Sequence, residues 1–392
     1  MEVTAAESSL AASIAEAARA GEPLAIWGHA TKEKILRPVR ALRHVSTRDL
    51  TGITLYSPKE LVISARAATP LREIQRTLAD SGQHLIAEPP DFSTLLGSSG
   101  EQTLGGVVAT NLSGPRRVAW GAMRDHVLGI RAVNGAGEII RSGGRVLKNV
   151  TGLDLCKLLT GSHGTLGVMT EITLKVLPAP ETTGTLLRWG QTPEAAVASL
   201  SAALGSPYGV SGAAYLPADA ARRIGWDAAA TVIRIEDFAP SVAYRLDRLR
   251  AELGGGDLLD DAPSRTIWWQ IGNATPLDAD TGAVWRVSVR PSRGPAVLDA
   301  VQAAFGASCF LDWGGGLVWV AGPASAAAHA AVMAAALDAG GIWMLFRAPD
   351  ALRQAVAVVP DEPAALARIG ARVKAALDPQ GILNPGRIYA GL

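Results

Sequence analysis

The sequence predicts an α+β protein of two units followed by a C-terminal segment. Three observations predict it. Helix and strand signals alternate as far as a proline break at Pro178 and Pro180. Beyond the break, strand signals such as Thr231 to Ile235 and Val284 to Val289 mix with Ala-rich helices, the pattern of an α+β unit with an antiparallel sheet. The tail then carries one more helix and a turn. The expected division is residues 1–180, 181–355 and 356–392.

Each element has a local reason. Ser9 to Ala20 reads as a helix stopped by Gly21, where a C-cap glycine is favoured. Leu24-Ala-Ile-Trp27 is a short buried strand ending at Gly28, and Leu61 to Ala65 is another. Thr69-Pro70 opens a helix, with Thr as N-cap and Pro at the first helical position; Leu71, Ile74 and Leu78 give it an apolar face. Glu88 to Gly121 is rich in Gly, Pro, Ser and Thr, a loop long enough to suggest function. Asn134-Gly-Ala-Gly137 between Val127–Val133 and Glu138–Arg141 signals a hairpin. Asp154 to Leu159 suggests a helix, Gly161 to Gly167 a glycine loop, and Val168 to Leu177 alternates as a strand. In the tail, Ala364 to Leu377 begins after Pro363 and stops at Asp378-Pro379, and Asn384-Pro385-Gly386 is a turn.

Composition narrows the function. Of 392 residues, 48% are hydrophobic and 19% charged, with net charge +1, so no strong field points to nucleic acid or an anionic membrane. The two cysteines, Cys156 and Cys309, form no CxxC or Cys/His spacing, which argues against an iron–sulfur cluster or structural zinc in this chain. MEVTAAESSL lacks a secretory signal, and the Ala-rich stretch Pro323 to Leu337 reads as a packed helix, not a membrane segment. The cytoplasm is the expected location.

Four separated loops carry the chemistry: Trp27-Gly-His-Ala-Thr-Lys32, Ser98-Ser-Gly-Glu-Gln-Thr-Leu-Gly-Gly106, Gly161-Ser-His-Gly-Thr-Leu-Gly167 and Leu383-Asn-Pro-Gly-Arg387. Without a β-carbon, backbone N–H groups can converge on a diphosphate, and a helix beginning at Gly105-Gly106 adds its positive end. Glycines also simply end elements, but four loops of this density favour a large phosphate-bearing cofactor. Neither GxxxxGK[ST] nor GxGxxG between strand and helix is present, so the cofactor is held by neither a P-loop nor a Rossmann turn.

The motifs then become specific. Ala87-Glu-Pro-Pro90, Thr103-Leu-Gly-Gly106, Ala109-Thr-Asn111, Ser113-Gly-Pro-Arg-Arg117, Gly121, Arg124-Asp125 and Val127-Leu-Gly129 are followed in order by Lys148-Asn-Val-Thr-Gly-Leu-Asp154, Lys157-Leu-Leu-Thr-Gly-Ser162 and Gly164-Thr-Leu-Gly-Val168. This set resembles the FAD-binding half of the vanillyl-alcohol-oxidase/PCMH flavoprotein family. Within it, the chain is similar to the smaller flavoprotein subunits of bacterial glycolate oxidases, which share a DPxGxxNPGR-like end, here Asp378 to Arg387.

The resemblance implies a two-subdomain PCMH-type FAD-binding domain and a smaller α+β cap domain. It implies that Gly28, His29, Ala30, Thr31 and Lys32, with Thr103, Leu104, Gly105 and Gly106, clamp the FAD pyrophosphate. Thr110, Asn111, Ser113, Gly114 and Gly121 line the ribityl chain and isoalloxazine, and Gly164, Gly167 and Val168 follow the adenine half. Asn384 reaches back to the flavin, and Pro89 and Val127 complete the set. Arg116 is either flavin- or phosphate-facing or a surface cation. The first loop departs from the family's arginine and glycine triplet through Trp27, His29 and Ala30. In covalent members the attaching histidine falls where this chain has Thr31, so non-covalent FAD is expected, with His29 a loop histidine.

Oxidising a 2-hydroxy acid needs a base for the hydroxyl proton and a cation for the carboxylate. Of the six histidines only His329 lies in the second unit, where it reads as structural, satisfied or exposed. Trp268-Trp269 and Trp343 read as core, with a flavin wall as the rival reading. The resemblance therefore implies an FAD-binding subunit of a glycolate oxidase or dehydrogenase that acts on a small 2-hydroxy acid. A larger homologous flavoprotein partner would carry the substrate chemistry, an iron–sulfur subunit would take the electrons, and any membrane association would be through partners. Two alternatives stay open: a stand-alone FAD-dependent D-lactate or alcohol dehydrogenase, and a flavin-free structural subunit.

Overall fold

A computed structural model describes residues 4–144, 153–277 and 282–391. It divides into two compact units: Met1–Leu112, Ala122–Ala179 and Asp361–Leu392 form the first, and Ser113–Gly121 with Pro180–Pro360 the second. The segment Ser113–Gly121, which the sequence reading keeps with the first domain, thus groups with the second unit.

In the first unit, α1 (Ala5–Ala20) starts earlier than its apolar pattern suggests, because Thr4 caps it by accepting from Glu7 N; it ends at Gly21 in the left-handed region, φ 65°. Leu10, Ile14 and Ala17 pack with Leu24, Val45, Val133, Val168, Ile382 and Leu383. β1 (Leu24–Trp27) runs parallel to β2 (Arg43–Ser46). The tail supplies its other neighbour: Leu24 N donates to Ile382 O and Asn384 N to Leu24 O.

A second layer is an antiparallel sheet of five strands, β3 (Ile53–Ser57), β4 (Val62–Arg66), β6 (Val127–Val133), β7 (Ile139–Gly143) and β8 (Val168–Lys175), in the order β3-β4-β8-β6-β7. β8 lies between β4 and β6, and its first five residues are all buried. The alternation expected there is absent because a central strand is covered on both sides. Pro178 does not break the chain into a loop; β5 (Gln83–His84) pairs with β9 (Leu177–Pro178). Buried Glu7 of α1 accepts from Thr170 Oγ1 and pairs with Arg131, joining the helix to the sheet.

Most of the remaining helices of this unit are short. α2 (Leu71–Ala79) has Pro70, not Thr69, at its N-cap. The Thr69 hydroxyl instead bonds across to Gly52, accepting from its N–H at 2.9 Å. The long loop contains α3 (Ser93–Leu96) and α4 (Leu104–Ala109), and α5 (Arg117–Trp120) follows within the second unit. α6 (Leu155–Leu159) is capped by Asp154, which accepts from Lys157 N. The Lys148 to Gly152 part of its motif lies outside the described residues. α14 (Ala364–Leu377) spans the segment expected from Pro363 and Asp378.

The second unit is built on one antiparallel sheet of eight strands: β10 (Thr182–Trp189), β11 (Val210–Leu216), β12 (Ala230–Asp237), β13 (Asp257–Leu259), β14 (Ala283–Ser288), β15 (Ser308–Asp312), β16 (Leu317–Gly322) and β17 (Ile342–Arg347). The spatial order is β13-β10-β12-β11-β15-β16-β14-β17. Its helices are α7 (Pro193–Leu204), α8 (Ala218–Arg223), α9 (Ala239–Glu252), α10 (Asp261–Gly272), α11 (Gly294–Phe305), α12 (Ala326–Asp338) and α13 (Asp350–Ala355). Partners directly opposite in register share a face. One face is apolar: Ile233, Leu311, Val318, Val287 and Trp343 are all buried. There His329 of α12 is not exposed. Its Nδ1 accepts from Trp285 Nε1 at 3.0 Å, and burial lowers its pKa. Trp343 is buried and Trp269 is exposed. The opposite face carries Arg234, Glu236, Asp312 and Arg286.

Candidate functional site

The four glycine-bearing loops meet within the first unit. Loops one and two touch directly. A β-carbon on Gly28 would stand 3.4 Å from Thr103 Oγ1, His29 Nδ1 is 2.8 Å from Glu101 O, and Lys32 Nζ donates to Gln102 Oε1 at 3.1 Å. Loop three is tied to the end of α4, since Gly161 N donates to Val108 O and His163 N to Ala109 O. Loop four closes the set through Asn384. Its Oδ1 accepts from Ile26 N at 2.8 Å and its Nδ2 donates to His163 O at 2.9 Å. Arg387 adds donations to the carbonyls of Lys32, Glu33 and Arg37.

What these loops leave unmade is informative. Among the described residues, the backbone N–H groups of Gly28, His29, Ala30, Thr31 and Lys32 meet no acceptor, and neither do those of Ser99, Gly100, Glu101 and Gln102. Thr31 and Lys32 are buried. Buried backbone donors are nearly always satisfied, so successive orphans form a nest suited to a polyanion. Two side-chain atoms nearby are also buried without a partner, Ser98 Oγ in loop two and His163 Nδ1 in loop three. Burial and the Arg387 cation hold the His163 pKa down to about 3, so it is a neutral imidazole. Sequence reasoning placed no role on His163; its one signal was a bulky residue between Gly161 and Gly164. Burial lowers the Lys32 ammonium to about 8. These residues fit a diphosphate-bearing cofactor.

Backbone strain gathers here too. Ala30, Asn111, His163 and Asn384 take positive φ values of 56°, 50°, 53° and 43°. Each costs on the order of 1 kcal/mol or more, a burden that persists where surrounding contacts over-determine it. The structure thereby accommodates the two β-carbons that replace glycines in loop one: Ala30 turns left-handed and His29 is held by the Glu101 carbonyl.

The other residues of the implied set serve varied ends. Thr103 caps α4 by accepting from Gly106 N at 3.2 Å, so this donor is already used. Gly105 is needed for packing, because a β-carbon would lie 2.9 Å from Ala67 O. Thr110 Oγ1 donates to Gly106 O, and Asn111 Oδ1 accepts from Arg124 N. A β-carbon on Gly164 would come within 2.8 Å of Asn384 Nδ2. Gly167 abuts Val133 O and Leu159, while Leu104, Val127, Val168 and Pro89 are buried. Ser113, Gly114, Arg116 and Gly121 belong to the second unit. There Arg116 is engaged by Glu236 through Nε at 3.0 Å and Nη2 at 2.7 Å. Gly114 O accepts from Trp313 Nε1. No group of ligating side chains suited to a metal, and no helix long and apolar enough to cross a membrane, occurs among the described residues.

Comparison with known proteins places this geometry. A family model described as an FAD binding domain matches residues 3–143. The chain is 37% identical over 372 residues to the glycolate oxidase subunit GlcE of Escherichia coli K12, covering 94% of this chain and 93% of that protein. It is 42% identical to the glycolate oxidase subunit GlcD of Bacillus subtilis, over 29% of this chain and 23% of that one. Among solved structures, 4-ethylphenol oxidase from Gulosibacter chungangensis matches with TM-score 0.72 and 12% identity, over 98% of this chain and 88% of that one. An alkyldihydroxyacetonephosphate synthase matches with TM-score 0.71 and 16% identity, over 96% and 74%. These likenesses establish the PCMH-type fold. The loops, the fold and the near full-length relationship agree: the chain belongs to the GlcE family of PCMH-type, FAD-linked oxidoreductases, and its cofactor is FAD.

Proposed function

We propose that this chain is the FAD-holding subunit of an oxidase or dehydrogenase complex for glycolate or a close 2-hydroxy acid. The observation that carries the proposal is the nest of unpaired N–H groups in loops one and two, clasped by loops three and four. In this reading the N–H groups of Gly28 to Lys32, with Ser98 Oγ and Lys32 Nζ, hold the pyrophosphate of non-covalent FAD. Asn111, His163 and Asn384 fix the strained turns around it. Bound FAD supplies a two-electron acceptor.

Substrate oxidation itself is assigned to a larger homologous flavoprotein subunit, with an iron–sulfur subunit taking the electrons onward. The support is chemical. His329, the one histidine beyond residue 180, is buried against Trp285 and Trp343, which keeps its imidazole from serving as the base for a hydroxyl proton. The relationship to both GlcE and GlcD agrees with such a pairing. The test is to purify this chain alone, record its visible spectrum and assay glycolate and D-lactate with an artificial acceptor. The expected result is a yellow protein, absorbing near ~450 nm as flavins do, with negligible turnover until the partner is added. A colourless protein that takes up no FAD overturns the cofactor assignment. Robust turnover by the isolated chain overturns the division of labour and favours a stand-alone dehydrogenase.

A further inference from the structure

The first unit carries a helix that the rest of the chain does not cover. α14 has 14 residues and none of them is buried. Residues 364–372 are all exposed, Leu366 by 53% and Ile369 by 57%. Its attachment is at the far end. There Leu377 O accepts from Gly135 N, and Lys374 Nζ donates to Thr165 O at 2.8 Å and to Leu383 O at 3.1 Å. The last turn is thus tied to loops three and four, while the preceding turns stand in solvent.

A free helix of this length is marginal in water, and helices in proteins draw most of their stability from packing an apolar face. α14 has such a face. Leu366, Ile369, Val373 and Leu377 recur at the spacing of one helical stripe. Gly370 lies on the same stripe, one turn after Leu366. A glycine inside a helix costs about 0.8–1 kcal/mol relative to alanine. The chain itself does not require it, because a β-carbon there would meet Glu362 Oε2 at an ordinary 3.6 Å. Close approach of a second body to the helix backbone does require it. Arg368 and Arg372, one turn apart, flank the stripe; both are exposed and, among the described residues, in no ion pair.

An apolar stripe, a glycine that admits a near neighbour and a row of guanidinium groups suit a groove on another protein. Complementarity gives that groove an apolar floor and carboxylates along the rim that meets Arg368 and Arg372. A lipid surface fits less well: two exposed cations are few for anionic headgroups, Asp361 and Glu362 precede them, and the helix has no aromatic anchor. We propose that α14 is the docking helix for the larger flavoprotein subunit, seated in a carboxylate-rimmed apolar groove of that partner. Such docking presupposes the subunit assembly proposed above.

The test is biosensor titration of the full, FAD-loaded chain against the purified larger flavoprotein subunit. The parent chain should bind saturably and more weakly as salt rises. Leu366→Asp with Ile369→Asp should weaken binding at least tenfold, and so should Arg368→Glu with Arg372→Glu. Gly370→Leu should weaken it at least tenfold while leaving the helix no less stable, an effect that a purely structural role for α14 would not produce. All three variants should keep the parent's FAD content and thermal midpoint, since the altered side chains are exposed. The apolar pair is also compared with the parent in sedimentation of the chain alone and with phosphatidylcholine–phosphatidylglycerol vesicles. Self-association or vesicle binding that this pair abolishes, with binding to the larger subunit intact, overturns the proposal. Undiminished subunit binding by the folded variants overturns the docking helix and leaves the subunit reading standing. No binding by the parent chain overturns both.

Discussion

The two units handle charge in opposite ways. In the first, the groups suited to an anion are main-chain: consecutive N–H groups from Gly28 to Lys32 and Ser99 to Gln102. In the second they are side chains, with Arg116 and Arg234 gripping Glu236. A backbone nest needs small residues and left-handed turns close together in sequence. A guanidinium cluster needs only that remote strands fall into register. The comparison teaches that the cofactor loops are a local device and the charged sheet face a global one.

The sharpest way to break the comparison is Glu236→Ala. Burial would raise the Glu236 carboxyl, but Arg234 and Arg116 outweigh it and hold the group below the usual carboxylate range. Removing it takes from Arg116 and Arg234 the carboxylate they share, at a cost of about 3–5 kcal/mol. Thermal unfolding should show a large drop, and an unchanged midpoint would mean the cluster is not structural. The same lowered pKa sets a pH dependence. Its stabilisation is complete above about pH 5 and is lost as pH falls. The parent chain should therefore destabilise more on acidification than Glu236→Gln does.

Asn384→Ala tests the clasp between loops. It removes the bonds to Ile26 N and His163 O and leaves alanine at φ 43°. The expected loss is about 2–4 kcal/mol of stability together with weaker FAD retention on gel filtration. Retention equal to the parent would show that the tail is dispensable for the cradle.

Lys32→Met asks whether main-chain groups alone suffice. A charge-assisted bond is worth about 1.5–3 kcal/mol, so FAD affinity measured by fluorescence titration should fall roughly 10- to 100-fold. The pKa of about 8 also fixes a sign. A phosphate must find the ammonium charged, so affinity should weaken as pH rises through about 8, a trend absent in Lys32→Met. An affinity unaltered by the substitution would leave the N–H nest as the whole device. The smallest effect belongs to Thr69→Val. Loss of its bond to Gly52 should cost about 1 kcal/mol in denaturant unfolding, with α2 intact because Thr69 does not cap it.

These particulars mark what could be read in advance. The ends of α14, the Gly21 cap and the β6–β7 hairpin turn on residues a few positions apart, and all were legible. So were the four loops, since glycine and threonine declare themselves wherever they stand. Thr69 was misread because two hydrogen-bonding fates compete for one hydroxyl, and the choice depends on Gly52, seventeen residues away. His163 passed unnoticed because its orphaned Nδ1 exists only once loop three has folded against α4.

By itself, then, the sequence determined an α+β chain with strands, caps and glycine-rich loops in known places, because short-range sterics and hydrogen bonding decide those. Tertiary structure alone decided that loops as distant as Trp27 and Asn384 share one nest. It also decided that Arg116 answers to Glu236, and that Arg286 is left among aromatic rings beside Arg117. Such pairings depend on sheet register and chain return, which bring together groups that no local pattern connects.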